Sequence, residues 1–299
     1  MNAPEISVVM ATRNAAAYVE QALESLAGQE AAPETEIIVA DSSSDGTGHI
    51  IRSRFPKVRL LECNRSAPTP ALLLDALRAA EGRIIVLTEP YCRFPSDWLQ
   101  GLRRAHDSEF AVIGGAVACA DSAGLVDWAC YFADYGAFLP AAPKRETPVL
   151  AGNHVSYKRE VVAQALGSMP DGFRKTFFHW DLGRQGARFL FDPELVIHWE
   201  RRNGFGECMR RFFCNGRDFA ATRSKRIPQS ERVLRLLTAP ALPALLLYRR
   251  LRPVISQRGY TARVFLALPL VAAFVVAWSA GEFLGYLDDP GRAPQAEVD

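Results

Sequence analysis

The stretch from Ile6 to Thr47 constrains the fold of this chain more than any other. An apolar run, Ile6 to Met10, ends in the polar corner Ala11-Thr12-Arg13-Asn14. A helical pattern follows, with Ala17, Val19, Ala22, Leu23 and Leu26 recurring at helical spacing. A second apolar run, Ile37 to Ala40, stops at Asp41 and a Ser/Asp/Gly cluster. Strand, crossover helix and strand make a βαβ unit, whose strands lie parallel, bury both faces and connect right-handedly. Open α/β sheets bind ligands at the edge where such strands end. The chemistry is therefore expected beside Thr12, Asn14, Asp41 and Asp45.

The pattern then repeats. Thr47 is an expected N-cap for a short helix through Ile50, Ile51 and Phe55. Val58 to Leu61 reads as the next strand, Ala71 to Ala80 as a helix closed by Gly82, and Ile84 to Leu87 as another buried parallel strand. This arrangement resembles the nucleotide-sugar-binding half of family 2 glycosyltransferases, which have the GT-A fold. Their Thr-x-Asn corner is matched by Thr12-Arg13-Asn14. Their Asp-Asp-Gly-Ser-x-Asp-Gly-Thr pattern is matched by Ala40 to Thr47, with Ala40 in place of the first Asp and Asp41 and Asp45 retained. The resemblance implies that Thr12, Asn14, Asp41 and Asp45 hold base and ribose.

In the same resemblance, the strand ending at Leu87 delivers an Asp-x-Asp motif ahead of Pro-x-Asp-Trp-Leu, here Pro95-Ser96-Asp97-Trp98-Leu99. Aligned on Trp98, the motif position reads Glu89-Pro90-Tyr91. Paired carboxylates would hold Mg²⁺ or Mn²⁺ against a diphosphate, because hard cations take oxygen ligands. One Glu and a neutral phenol make a poorer site. Two expectations stand side by side. Either Glu89, with Tyr91, binds a divalent cation or sugar hydroxyls on the diphosphate side, or cationic side chains offset the diphosphate charge.

Gly152-Asn153 to Arg159 resembles the family's Gly-Asn-x-x-x-x-x-Arg segment, which lines the acceptor side. That makes Asn153 a polar contact to sugar or acceptor; read without the family, an Asn after Gly is a turn residue. The family's acidic pair has only His179 and Asp181 as counterparts before Gly186, Asp192-Pro193 and His198. An inverting transfer to a hydroxyl needs a base within hydrogen-bond reach. Asp181 is the first choice and His179, with an ordinary pKa of about 6.5, the substitute. An anionic phosphate acceptor would need neither. His198, which follows a strand, is expected to approach the diphosphate.

With 49% hydrophobic and 23% charged residues in a chain of 299, the composition is that of a globular protein with an ample core. A net charge of +2 gives no general reason to expect nucleic acid. Basic residues gather between Arg201 and Arg263. A helical pattern there interleaves Arg210, Arg211 and Arg217 with Phe212, Phe213 and Phe219. It suits phosphate oxygens beside a leaving nucleoside diphosphate or an anionic lipid surface. The six cysteines form no CxxC pair and no zinc spacing, and read as thiols of a reducing compartment. Met1 to Glu5 is too polar for a signal peptide.

Leu236 to Tyr248 is uncharged but carries Pro240 and Pro243 and falls short of the roughly 20 residues a bilayer requires, so it is expected at the interface. Val264 to Gly281, extended by Phe283 to Leu287, is expected to span, with arginines keeping its N-terminal side cytoplasmic. A buried hairpin or dimer interface is the competing arrangement. The expected organisation is an α/β GT-A domain with a mostly parallel sheet over 1–200, basic amphipathic helices over 201–258, and a transmembrane helix with a short polar tail over 259–299. The resemblance implies a membrane glycosyltransferase of cell-envelope polysaccharide or glycolipid synthesis. It would move a sugar from a nucleotide-diphosphate sugar to a lipid-linked or membrane-proximal acceptor, with inversion, on the cytoplasmic face. Its rivals are a catalytically weak nucleotide-sugar-binding membrane protein and a nucleotidyltransferase. The latter would carry a Gly-rich phosphate loop early in the chain, and none follows Met10.

Overall fold

The computed structural model describes residues 3–169 and 172–288. The chain divides into two compact units, one of Met1–Ala120 with Phe138–Arg201, the other of Asp121–Ala137 with Arg202–Asp299. The first unit is a mixed sheet with helices. Its strands are β1 (Ile6–Thr12), β2 (Thr35–Asp41), β3 (Arg59–Glu62), β4 (Ile84–Thr88), β5 (Cys92–Arg93), β6 (Val112–Cys119), β7 (Arg145–Glu146), β8 (Val155–Lys158) and β9 (Phe189–Trp199). The helices α1 (Val19–Ala27), α2 (Thr47–Arg54), α3 (Thr69–Ala79) and α4 (Trp98–Ala105) alternate with the early strands. The spatial order is β3-β2-β1-β4-β8-β6-β9-β5, with β7 on β9. β1 runs parallel to both β2 and β4, and β2 parallel to β3. β8 is antiparallel to β4 and β6, and β9 returns parallel to β6.

The apolar runs explain this placement. Ile6, Val8, Val9, Met10, Ile38, Val39, Ile84 and Val86 are completely buried. Each such side chain stabilises the fold by about 1.5–3 kcal/mol. Apart from Ser7 near the start of β1 and Thr35 and Glu36 at the start of β2, these strands stay apolar up to their last residues, so the polar groups of their C-terminal ends collect along one edge. The register sets Thr12 opposite Asp41, Met10 opposite Thr88, and Leu87 opposite Val155. Glu89 follows β4 and Asn153 precedes its antiparallel neighbour β8, so both fall at this end of the sheet.

Two local expectations change. Gly46, with φ of 96°, rather than Thr47, occupies the N-cap of α2. Gly82 does not close α3, which is capped at Ala80. It lies instead where an added Cβ would be 2.5 Å from the Ser7 backbone nitrogen, and that close approach requires glycine.

The second unit is helical: α5 (Leu125–Tyr135), α8 (Phe205–Ser224), α9 (Gln229–Thr238), α10 (Leu242–Ile255) and α11 (Thr261–Leu287). The intervening α6 (Arg159–Ala165) and α7 (Lys175–Arg184) belong to the first unit. The aromatic-rich α5 thus counts with the C-terminal helices. α8 and α11 meet through glycines: Gly281 lies against the Phe213 carbonyl, Gly285 against that of Arg217, and Gly216 against that of Trp278. Small residues let backbones approach in this way. Phe212 and Phe274 stack at 5.2 Å beside the crossing. The sulfurs of Cys130 in α5 and Cys208 in α8 lie against each other.

Leu236 to Tyr248 resolves into the end of α9, a tight turn at Ala239–Ala241, and the start of α10. α11 continues through Pro269 and is the one described helix long and apolar enough to cross a membrane. The polar tail expected after it lies outside the described residues.

Candidate active site

The first two polar corners lock together. Thr12 Oγ1 donates to Asp41 Oδ1 at 2.6 Å. Ser43 reinforces the same oxygen through its hydroxyl at 2.5 Å and its amide at 3.3 Å. An added Cβ on Gly48 would lie 2.8 Å from Asp41 Oδ2, so the other carboxylate oxygen faces the first turn of α2. Asn14 takes a left-handed φ of 51°, which its short polar side chain tolerates. Its Oδ1 accepts from the Ser44 amide at 3.0 Å, while its own amide donates to Ser43 Oγ at 2.8 Å.

Asp45 is held from within. Its Oδ1 accepts from the Thr47 hydroxyl at 2.6 Å and amide at 3.1 Å, and its Oδ2 from the Ala16 amide at 2.9 Å. Partial burial pushes this carboxyl up, but the bonds from Thr47 and Ala16 outweigh it and hold the group below its ordinary value. Asp45 therefore braces the corner that Asp41 offers.

β4 delivers the next group. Thr88 and Asn153 are buried, at 3% and 0% exposure, and Asn153 Nδ2 lies 3.7 Å from the buried thiol of Cys92. Thr88 Oγ1 and Asn153 Oδ1 are buried without a hydrogen-bond partner. Unsatisfied buried polar atoms are costly, and a polar ligand at this strand end would satisfy both. Lys175, at the start of α7, donates to the Leu150 carbonyl at 2.9 Å and so ties the Asn153 loop to that helix. Glu89 is half-buried in the turn after β4. Tyr91 follows, its ring 4.5 Å from the Arg201 guanidinium carbon and 5.1 Å, edge-on, from Tyr18. Among the described residues, no three His, Cys, Asp or Glu side chains gather as a metal-holding group.

The expected catalytic corner separates. His179 is only 4% exposed and its Nε2 meets the Tyr157 hydroxyl at 2.8 Å. Burial first, then nearby Lys175, lowers its pKa to about 3. A ring packed 5.0 Å from Phe189 and held by a buried tyrosine is core, so His179 is withdrawn as a candidate base. The Asp181 side chain is 40% exposed, with Arg184 at 3.6 Å. His198 lies in β9, paired with Arg93 of β5 and Ala118 of β6. Arg210 and Arg211 belong to the helical unit. Arg211 donates to Asp134 at 2.9 Å, and Arg210 is exposed.

Tyr18, Ser43, Thr88 and Arg201 were not singled out from the sequence as site residues. Ser43 had a visible signal, since it lies within the matched Ala40–Thr47 pattern. Arg201 opens the basic stretch visible in the sequence, but only the β5–β9 pairing brings it to Tyr91.

A parallel sheet whose polar strand ends converge on one edge, followed by an antiparallel strand and a return strand, is the architecture of a GT-A glycosyltransferase domain. Residues 7–166 match the profile of glycosyl transferase family 2, and the chain belongs to that family. Among solved structures it is similar to the mannosyltransferase PcManGT from Pyrobaculum calidifontis in complex with GDP-Man and Mn²⁺. There the identity is 22%, with 94% of this chain and 88% of that chain covered and a TM-score of 0.57. It is also similar to S. aureus TarS 1-349 in complex with UDP-GlcNAc, at 17% identity, 93% and 90% coverage and a TM-score of 0.53. At such identities the likeness is one of fold. No curated protein matches the chain.

Proposed function

We propose that this glycosyltransferase moves a sugar from a nucleoside-diphosphate sugar to a hydroxyl of a lipid-linked or membrane-proximal acceptor, with inversion. The observation that carries the reading is the anchored Asp41. With Oδ1 saturated by Thr12 and Ser43, Oδ2 is held in a set position to accept from a base or ribose. Asn14 and Asp45 keep that corner in shape, and Glu89 and Asn153 lie just outside the neighbouring strands β4 and β8, for the sugar and diphosphate. The complexes of PcManGT with GDP-Man and of TarS with UDP-GlcNAc support a donor of this class.

In the transfer, Asp181 accepts the acceptor's hydroxyl proton as the new glycosidic bond forms, since a partly exposed carboxylate can reach a bound hydroxyl where buried His179 cannot. A divalent cation, where one is used, would offset diphosphate charge. This chain offers Glu89 as a single carboxylate for it, beside a phenol covered by a guanidinium, and that donor set does not fit the ion well. The expected organisation into a catalytic domain and a membrane-associating helical part remains our proposal.

Membrane association is supported by the distribution of exposed apolar side chains. Leu237, Tyr248, Phe265 and Leu266, at 74%, 60%, 68% and 67% exposure, all lie in the helical unit. The test is transfer of radiolabelled sugar from nucleotide sugars to a membrane extract. Loss of transfer in Asp181→Asn supports the reading; transfer equal to wild type removes Asp181 from it.

A further inference from the structure

Tyr91 stands where a second carboxylate would complete a cation-binding pair, and its ring is engaged on two sides. The Arg201 guanidinium lies 4.5 Å from the ring centroid. Tyr18, at the N-cap of α1, meets the ring edge-on at 5.1 Å. Backbone pairing sets this arrangement. Cys92 pairs with Trp199, and the Glu200 amide donates to the Tyr91 carbonyl at 2.8 Å. Arg93 holds the Glu200 carboxylate at 2.8 Å. The chain thus leaves β9 through Arg201 just where it enters β5 from Tyr91.

A fixed positive charge over this ring works against a divalent cation at the same place, because like charges a few ångströms apart repel strongly away from bulk water. The same charge suits a diphosphate. A guanidinium lying on an aromatic face keeps its N–H donors in its own plane, where they meet phosphate oxygens two at a time. We propose that Arg201, carried on Tyr91, binds the diphosphate of the nucleoside-diphosphate sugar in place of a divalent cation. The inference rests on the donor site proposed above. As the bond from anomeric carbon to diphosphate oxygen breaks, its electron pair leaves with the nucleoside diphosphate. Arg201 meets that charge, while the acceptor oxygen bonds to the anomeric carbon and gives its proton to Asp181.

The test is calorimetric titration of the full chain with UDP, GDP, ADP, CDP and dTDP, in excess EDTA and in Mn²⁺. At least one nucleotide should bind with affinities that agree within a factor of about three between the two conditions. Arg201→Ala should weaken binding in EDTA by about ten- to a hundredfold, and Arg201→Lys by less, because the charge stays while the fork is lost. Tyr91→Asp, which removes the ring and adds a carboxylate beside Glu89, should make binding depend on Mn²⁺. Wild-type binding that requires Mn²⁺, or Arg201→Ala binding like wild type in EDTA, overturns the proposal and leaves the donor site standing. Failure of every nucleotide in both conditions removes the donor site and the proposal together.

Discussion

Thr12 and Asp41 end adjacent parallel strands and share a 2.6 Å hydrogen bond. The bond holds a carboxylate of 7% exposure in one orientation at the mouth of the sheet. Thr12→Val keeps the shape and removes the donor. It should lower nucleotide affinity about tenfold with the fold intact, and Asp41→Asn should lower it further. Calorimetric nucleotide binding together with far-ultraviolet circular dichroism checks both. Wild-type affinity in Asp41→Asn would falsify the donor corner.

Gly48 offers a sharper probe of the same oxygen. Its substitution by Ala favours helix by about 1 kcal/mol, yet the new Cβ would lie 2.8 Å from Asp41 Oδ2. The clash is felt in the folded protein, where Thr12 and Ser43 hold the carboxylate, so displacing Asp41 offsets the helix gain. Thermal stability should change little or fall, while nucleotide affinity falls. Unchanged affinity would show that Asp41 Oδ2 is not used.

Asp181 and His179 separate chemistry from packing. Asp181→Asn should reduce kcat by about 10²- to 10⁴-fold with little change in stability. His179→Gln strips the Tyr157 hydroxyl of its buried ring partner and should cost about 1–3 kcal/mol of stability. Its folded fraction should transfer sugar normally. Kinetics corrected for active enzyme, paired with urea denaturation, distinguish the two.

Acid should loosen the sheet unit through its buried imidazoles. Burial lowers the pKa of His154 to about 4, against an ordinary 6.5. Its Nδ1 donates to the Ala116 carbonyl and its Nε2 accepts from the Trp98 indole, both at 2.9 Å, so the neutral ring is the bonded form. His106 and His179 are lowered to about 3, burial again leading. A depressed folded pKa means that the unfolded chain binds the extra proton. The stabilisation is therefore complete above about 6.5 and is lost as pH falls toward 4 and 3, by up to about 1.4 kcal/mol per imidazole per pH unit. Urea midpoints at pH 7, 6 and 5 should fall in that order; a flat series contradicts it.

Vesicle binding tests the helical unit. Leu237→Glu and Phe265→Glu alter residues of 74% and 68% exposure, so folding should be unaffected. Each should weaken co-sedimentation of the full chain with anionic vesicles by about tenfold or more if its side chain enters the bilayer. Binding equal to wild type would take these residues out of the membrane contact.

Much of the sheet was legible because local pattern and tertiary demand coincide. Ile84 to Leu87 is apolar at every position and Ile6 to Met10 at all but Ser7, and such runs suit strands buried on both faces. The edge on which Thr12 and Asp41 meet follows from two parallel strands of that kind. The corner's internal economy was less visible. Asp45 was read as a ligand-binding residue, and the fold adds that its oxygens brace the turn by accepting from Thr47 and Ala16, a role set by turn geometry rather than residue type.

The chain's own letters determined the βαβ start, the order of polar strand ends and the family to which they belong, because hydrophobic periodicity and corner residues act over short stretches. What only the tertiary structure decided were the long-range pairings. These are His179 against Tyr157, Arg211 against Asp134, and Arg201 over Tyr91. Each joins residues distant in sequence, and burial or a neighbouring charge then sets whether the group is core, ion pair or ligand. Spacing along the chain carries no record of which side chain the folded backbone will bring beside another.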